Sequence, residues 1–140
     1  MEENVFTEVH QVKAGDFASA GEASSHFKRV LKQLGIDGDL VRRASIMSYE
    51  AELNLVIHSE GGELKLEVSP EHVRIISEDV GPGIEDIDLA MTAGYSTAPD
   101  SVRMMGFGAG MGLCNMERCA DDFQISSSKA GTKISMTMNL

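Results

Sequence analysis

Glycine at alternate positions is the feature that most constrains this chain. Residues 106–112 read GFGAGMG, and a helix-forming segment follows directly. A stretch with so little side chain lets backbone N–H groups come close to a ligand. Because the free N–H groups at the start of a helix attract negative charge, the pattern predicts contact with the phosphates of a nucleotide. A flexible loop is the alternative interpretation.

A turn-forming segment with an acidic residue precedes the glycine run. Asp79 follows a predicted strand at residues 73–77, and the sequence VGPG comes directly after it. Asp, Gly and Pro are turn formers, so an ordinary turn is one interpretation. The other is an anchored carboxylate that accepts a hydrogen bond from an adenine amino group, with the glycines leaving room for the ring.

Three polar residues share one side of a predicted helix. Glu50, Asn54 and His58 stand at i, i+4 and i+8 within residues 40–58, so they form a stripe. A carboxylate at position 50 can accept a proton from a hydroxyl or a water, and an amide oxygen at position 54 suits a hard cation such as Mg²⁺. A solvated helix face is the alternative, and we expect His58 to be a cap or packing residue.

The apolar periodicity predicts an α+β fold in a single domain over residues 1–140. Alternating and β-branched apolar residues predict strands at residues 5–12 (at a sheet edge), 64–68, 73–77, 123–127 and 132–138. Apolar residues at 3–4 spacing predict helices at residues 20–34, 40–58, 84–93 and 112–120, with an irregular lid at 94–105. The expected architecture is a two-layer sandwich, in which helices cover one face of a mixed, mostly antiparallel sheet.

The helix at residues 40–58 is expected to turn one apolar face toward the core and to begin at an aspartate cap, either Asp37 or Asp39. The residues predicted to line that face are Ile46, Tyr49, Leu53, Val56 and Ile57.

Charge and hydropathy exclude several classes of protein. The net charge of −10 argues against direct nucleic-acid binding, which needs a basic stripe. No apolar run approaches the roughly 20 residues of a membrane span, and the first residues lack a signal-peptide core, so we expect a cytoplasmic protein. Cys114 and Cys119 are too few for a disulfide framework or a zinc site and are expected to be reduced packing residues.

In chain order, these pieces resemble the N, G1 and G2 boxes of the Bergerat-fold (GHKL) ATPase superfamily, shared by histidine kinases, gyrase B, Hsp90 and MutL. The first box is Glu50-x-x-x-Asn54, the second Asp79-x-Gly81-x-Gly83, and the third the run at residues 106–112. The strings DVGPGIEDIDLAMTAGYST and GFGAGMGL are similar to its small bacterial anti-sigma factor and serine-protein kinase branch, a histidine-kinase-like ATPase domain.

The resemblance implies a role for each matching residue. Glu50 would be the general base that activates a serine or threonine hydroxyl on a partner, Asn54 would hold Mg²⁺, and Asp79 would bind adenine. The other implied nucleotide contacts are Gly81, Gly83 and Thr132 around the base, Gly108, Gly110 and Gly112 at the phosphates, and Ser96, Thr97 and Arg103 in the lid.

The resemblance also implies a function, namely an Mg-ATP-dependent protein serine/threonine kinase in bacterial transcription control. It would phosphorylate or sequester a regulatory protein, either a sigma factor or an anti-anti-sigma-type substrate, and a homodimer remains open. No helix bearing a phosphoacceptor histidine precedes the boxes, which argues against a full histidine kinase. The alternatives are a non-catalytic switch, in which ATP changes the affinity for a protein partner, and a simple ATPase.

Overall fold

A computed structural model describes residues 5–81, 87, 91 and 112–140. Its strands are β1 (Phe6–Val12), β2 (Gly62–Val68), β3 (His72–Asp79), β4 (Asp122–Ser128) and β5 (Gly131–Asn139). Its helices are α1 (Glu22–Gln33), α2 (Gly38–His58) and α3 (Gly112–Cys119), with a 3₁₀ turn at Phe17–Ser19. The predicted lid at residues 94–105 lies outside the described residues, as does the predicted helix at 84–93 apart from Ile87 and Met91.

The described strands form one sheet in the order β1-β2-β3-β5-β4. All four neighbouring pairs are antiparallel, with β1 at one edge and β4 at the other. In β2, the buried residues Leu64, Leu66 and Val68 alternate with partly exposed charged ones, so one face of the sheet lies against the helices and the other is polar. The predicted α+β sandwich, with helices over one face of the sheet, is confirmed, and so is the edge position of β1.

The core lies between the sheet and the helices. Methionines fill much of it, since Met47, Met116, Met136 and Met138 are fully buried. The unbranched thioether side chain adapts to irregular gaps between layers. The other large, fully buried side chains are Phe27, Leu31, Leu55, Leu64, Leu66, Val73 and Ile75.

Local signals set the junction between α1 and α2. Gly35, which follows the C-cap residue Leu34 of α1, has φ +77, and glycine at this position ends a helix without a Cβ penalty. Asp37 then caps α2, because its Oδ2 accepts a hydrogen bond from the backbone N–H of Asp39 at 3.1 Å. Of the two predicted caps, Asp37 is therefore the one used.

The predicted core face of α2 is partly wrong. Tyr49 is 40% exposed, and Ile46 and Ile57 are only half-buried, whereas Leu53 and Val56 are buried. The helix packs against α1, α3 and the sheet at once, so more than one stripe is buried. The residues that place it in the core are Val41, Ala44, Met47, Ala51 and Leu55.

Candidate functional site

The carboxylate of Asp79 is held at the end of the central strand β3. Its Oδ1 accepts a hydrogen bond of 2.7 Å from the backbone N–H of Thr132, near the start of β5. Thr132 is 6% exposed, and Ser77, two residues before Asp79 on the same side of β3, is also buried. Sheet pairing thus fixes the acid on the helix-covered face, where the chain leaves the sheet.

Three glycines bring the backbone close around this acid. A Cβ at Gly131, whose φ is +148, would collide with the carbonyl oxygen of Asp79, and a Cβ at Gly62 would collide with that of Glu78. A Cβ at Gly81 would lie 2.5 Å from the carbonyl oxygen of Lys129, and the Gly81 N–H donates to the Ala130 carbonyl at 2.9 Å. The turn between β4 and β5 can therefore pack directly against the end of β3.

An open cleft of about 320 Å³ lies beside Asp79. The Ser127 and Thr132 hydroxyls, 2.9 Å apart, line it together with the acid. Burial raises the pKa of Asp79 above its ordinary value, and the Thr132 N–H acts in the opposite direction. The Asp79 carboxylate and the two hydroxyls lie on one wall of the cleft, so they could form hydrogen bonds with the edge of a heterocycle that carries an amino group. The other residues of the cleft are Glu78, Ser126, Ser128, Ala130, Gly131 and Lys133.

Glu50 lies on α2 and is joined to α3. Its Oε2 accepts a hydrogen bond of 2.7 Å from Nδ2 of Asn115, in a partly buried position. Asn54, one turn further along α2, is half-buried. The Asn54 amide presents the hard oxygen atom that Mg²⁺ prefers, and this cation commonly takes its remaining ligands from water and phosphates. The chemistry of this side chain therefore fits the implied metal.

The helix α3 begins at Gly112, the last glycine of the run. Leu113 and Met116 are buried in the core and anchor its first turns, while the Cys114 thiol donates to the Met91 carbonyl at 2.7 Å. Its far end is tied to α2, because Arg43 Nε donates to the Cys119 carbonyl at 2.9 Å. The start of this helix is thus anchored in the core at the point where the glycine run ends.

The structure brings the predicted residues together in two groups. Asp79, Gly81 and Thr132 meet at the end of the sheet, and Glu50 meets the first turn of α3 that begins at Gly112. Six predicted contacts lie outside the described residues, namely Gly83, Ser96, Thr97, Arg103, Gly108 and Gly110.

Sequence reasoning missed three polar residues that support these groups. Asn115 binds Glu50, Ser127 binds the Thr132 hydroxyl, and Arg43 binds the end of α3. Asn115 could have been found from the sequence, because it is a polar residue in the first turn of a helix that follows a glycine run. The contacts of Ser127 and Arg43 depend on the register of β4 with β5 and on the placement of α3, which the local sequence does not show.

Within the described ranges, no helix is both long and apolar enough to span a membrane.

Comparison with known proteins places this geometry in a family. Residues 41–140 match the family model described as histidine kinase-, DNA gyrase B-, and HSP90-like ATPase. The anti-sigma F factor of Clostridium novyi (strain NT) is 37% identical over 98 residues, which cover 65% of this chain and 65% of that protein. The serine/threonine-protein kinase RsbT of Bacillus subtilis (strain 168) is 32% identical over 114 residues, covering 76% of this chain and 78% of that one.

A solved structure supports the fold. The crystal structure of the SiaB-SiaC complex from Pseudomonas aeruginosa contains a chain that matches with a TM-score of 0.60 and 11% identity, over 98% of this chain and 91% of that one. The alignment with the Clostridium novyi protein spans just under two thirds of its length. The matched range, residues 41–140, includes Glu50, Asn54, Asp79 and Thr132. The chain therefore belongs to the histidine kinase-, DNA gyrase B- and HSP90-like ATPase family.

Proposed function

We propose that this protein is an ATP-binding anti-sigma regulatory factor and Mg-ATP-dependent protein serine/threonine kinase. It phosphorylates or sequesters a regulatory protein that controls transcription, in the cytoplasm and without direct nucleic-acid contact. The observation that carries the proposal is the Asp79 carboxylate, held by the Thr132 N–H beside an open cleft, in a chain of this ATPase family.

The cleft beside Asp79 suits adenine. An anchored carboxylate accepts a hydrogen bond from the exocyclic amino group of adenine, whereas guanine presents a carbonyl oxygen in the corresponding position. The Thr132 and Ser127 hydroxyls supply further polar contacts, and Gly81, which has no Cβ to meet the Lys129 carbonyl, lets the β4–β5 turn pack close behind the acid. We infer that Gly83 has the same role, and that the site prefers ATP to GTP.

The other end of the nucleotide belongs at the start of α3. The first N–H groups of a helix attract anions, and α3 begins where the glycine run ends. Gly108, Gly110 and Gly112 are proposed to contact the phosphates, and Ser96, Thr97 and Arg103 to be further contacts of the nucleotide. A bound Mg²⁺ would neutralise phosphate charge, with the Asn54 amide oxygen as its protein ligand.

Glu50 is proposed to be the general base. It accepts the proton of a partner's serine or threonine hydroxyl as that oxygen attacks the γ-phosphorus. The bond from the γ-phosphorus to the bridging oxygen breaks, and ADP leaves. The Glu50 carboxylate is half-buried, so it is shielded from bulk water yet reachable by a substrate.

The relatives support the choice of partner. The anti-sigma F factor and the kinase RsbT are similar to this chain over more than half of its length. By analogy with the name of the anti-sigma F factor, the proposed partner is a sigma factor; an anti-anti-sigma-type protein is the second proposed partner, from the family resemblance of the sequence, and a homodimer of this chain is compatible with either role.

Nucleotide calorimetry tests the site. Asp79→Asn is expected to weaken ATP binding about 10- to 150-fold, the effect of losing a hydrogen bond to a charged group, while the circular dichroism spectrum is unchanged. Asp121→Asn, an aspartate at the opposite end of β4 from the cleft, is the control and should bind ATP like the wild type. Unchanged ATP affinity in Asp79→Asn would refute the site.

Phosphoryl transfer tests the activity. A partner captured with the wild type in the presence of Mg-ATP should gain phosphate on serine or threonine, and Glu50→Ala should abolish this while still binding ATP. Capture without any transfer by the wild type would favour the ATP-gated binding switch. ATP turnover with no protein substrate would favour the simple ATPase.

A further inference from the structure

We propose that Asn115 is a positioning residue that aims the Glu50 carboxylate at the attacking nucleophile. The inference rests on the proposed function, because it assigns Asn115 to the general base of that reaction. It starts from the hydrogen bond of 2.7 Å between Asn115 Nδ2 and Glu50 Oε2, which joins α3 to α2 across 65 residues of sequence.

The chemistry of the donor suits a base. Glutamate has three rotatable side-chain bonds, so a half-buried carboxylate without a partner samples several orientations. The Asn115 amide fixes one oxygen and leaves the other to accept a proton. Because the amide is neutral, it orients the carboxylate without forming the ion pair that a lysine or arginine would form. The orientation of the amide follows from the same contact, since its oxygen facing a carboxylate would be repelled.

The backbone behind Asn115 is well supported. Leu113 and Met116, on either side of it in sequence, are buried, and the Arg43 side chain holds the Cys119 carbonyl at the far end of α3. Arg43 itself belongs to α2, seven residues before Glu50. The far end of the short helix is thus tied to the helix that carries the base, and its first turns are anchored in the core, so the amide is presented from a fixed frame.

The position of Asn115 also places the proposed general base close to the proposed phosphate-binding segment. Asn115 lies three residues after Gly112, where the proposed phosphate-binding segment ends and α3 begins. The residue that holds the proposed base therefore lies on the helix that starts where the proposed phosphate-binding segment ends. An error in the placement of the carboxylate is costly, since a shift of about 1 Å can reduce the rate about 100-fold.

The test uses water as the nucleophile, so no partner protein is needed. Release of labelled phosphate from Mg-ATP is measured in single turnovers for wild type, Asn115→Leu, Asn115→Asp, Glu50→Ala and the double variant Glu50→Ala with Asn115→Leu. Leucine keeps the approximate shape without a donor, and aspartate keeps it with a repelling charge. Glu117→Gln, an exposed change on the same helix, is the control. ATP affinity is measured in parallel by calorimetry.

Asn115→Leu is expected to slow hydrolysis about 10- to 100-fold with ATP affinity unchanged, and Asn115→Asp at least as much. In the Glu50→Ala background the leucine change should have no further effect, because a positioning residue acts only through the group it positions. A merely structural residue would instead lower the rate by the same factor in both backgrounds.

Two outcomes separate the claims. A wild-type rate in Asn115→Leu, or equal factors in both backgrounds, would overturn the role of Asn115 while leaving Glu50 as the base. Equal rates in wild type and Glu50→Ala would overturn the base itself, and with it both the proposed phosphoryl transfer and this inference.

Discussion

Two aspartates of this chain show how a backbone N–H acts on a carboxylate in different surroundings. Asp79 accepts from Thr132, but burial dominates and raises its pKa. Asp121 accepts from the N–H of Asn139 at 2.7 Å, and that bond, aided by Arg43, outweighs burial and lowers the pKa of Asp121. A backbone N–H donor therefore accompanies a raised pKa in one aspartate and a lowered pKa in the other. The degree of burial decides the direction of the pKa shift.

The pH dependence of stability should differ in sign between these two aspartates. A raised folded pKa means that the native state holds the proton of Asp79 more tightly than the unfolded state does. Stability from Asp79 is therefore full below about pH 3.8, its unfolded pKa, and is lost as the pH rises through the folded value. Relative to wild type, Asp79→Asn should gain free energy of unfolding as the pH rises from about 4 to 7, measured by urea denaturation.

Asp121→Asn is the matched comparison. Its lowered folded pKa gives stability that is present above the unfolded value and lost as the pH falls through the folded value. This variant should lose free energy of unfolding relative to wild type at neutral pH, with the deficit shrinking in acid. Parallel pH profiles for the two variants would contradict the assignment.

At the residue scale, the sequence predicts the surroundings of Asp79 better than the contact between Asn115 and Glu50. Asp79, Gly81 and Thr132 stand at the ends of strands whose alternation is plain, so the paired register of β3 and β5 brings them together. Asn115 meets Glu50 only through the packing of α3 on α2. That packing depends on buried surfaces distant in sequence, which no local pattern shows.

At the scale of elements, α1 is held by a carboxylate from another helix. Its N-cap is Gly21, which offers no side-chain oxygen. Glu52 of α2, only 3% exposed, takes over this role, since its two oxygens accept from the backbone N–H groups of Ala23 and Ser24, each at 3.1 Å. Both free N–H groups are thereby satisfied without water.

Glu52→Ala is expected to lower the free energy of unfolding by about 3 kcal/mol, because two buried N–H groups lose a charged acceptor. Glu52→Gln, which keeps one acceptor, should lie between Ala and wild type. Urea denaturation followed by circular dichroism at 222 nm measures the difference.

Glu22→Ala is the control at the same helix end, because Glu22 is an exposed acid in the first turn of α1. Its loss should cost only about 0.3–1 kcal/mol, the usual effect of an exposed charge near a helix terminus. A cost for Glu52→Ala no larger than this would show that the buried contact does not stabilise α1.

The sequence predicts the buried face of strands that have one such face, but it does not predict the buried residues of α2, which has several. The alternation in β2 and β3 gives their inward side directly. By contrast, α2 is covered by α1, α3 and the sheet, so small residues such as Ala44 and Ala51 are among its most buried ones. The apolar periodicity predicts instead that Tyr49 lies on the core face, but Tyr49 is exposed. The pattern does not show which sides of the helix the neighbouring helices and the sheet will cover.

At the scale of the whole molecule, excess acid is the dominant electrostatic feature. The chain has 22 acidic and 12 basic residues, and among the described residues the ion pairs between Arg and acidic side chains are mostly at the surface, such as Arg42 with Asp39 and Arg74 with Glu67. Exposed pairs of this kind contribute little, so repulsion among the unpaired carboxylates is left to oppose the compact state.

Salt should therefore stabilise the protein at neutral pH. Raising NaCl from about 0.01 M to about 0.15 M shortens the screening length from about 30 Å to about 8 Å, and the urea midpoint is expected to rise. Potassium chloride at the same ionic strength should have an equal effect, because screening does not depend on the identity of the cation. A falling midpoint would mean that attractive pairs outweigh the repulsion.

The hydrogen bond that holds Asp79 has a consequence for genetic screens. Its donor is the main-chain N–H of residue 132, so every replacement of Thr132 except proline leaves the donor in the chain. The neighbouring Gly131, where any Cβ meets the Asp79 carbonyl, permits almost no replacement. A mutational scan would thus report position 131 as intolerant of substitution. The scan would not detect the main-chain N–H of residue 132 that anchors the acid, because substitution changes only the side chain.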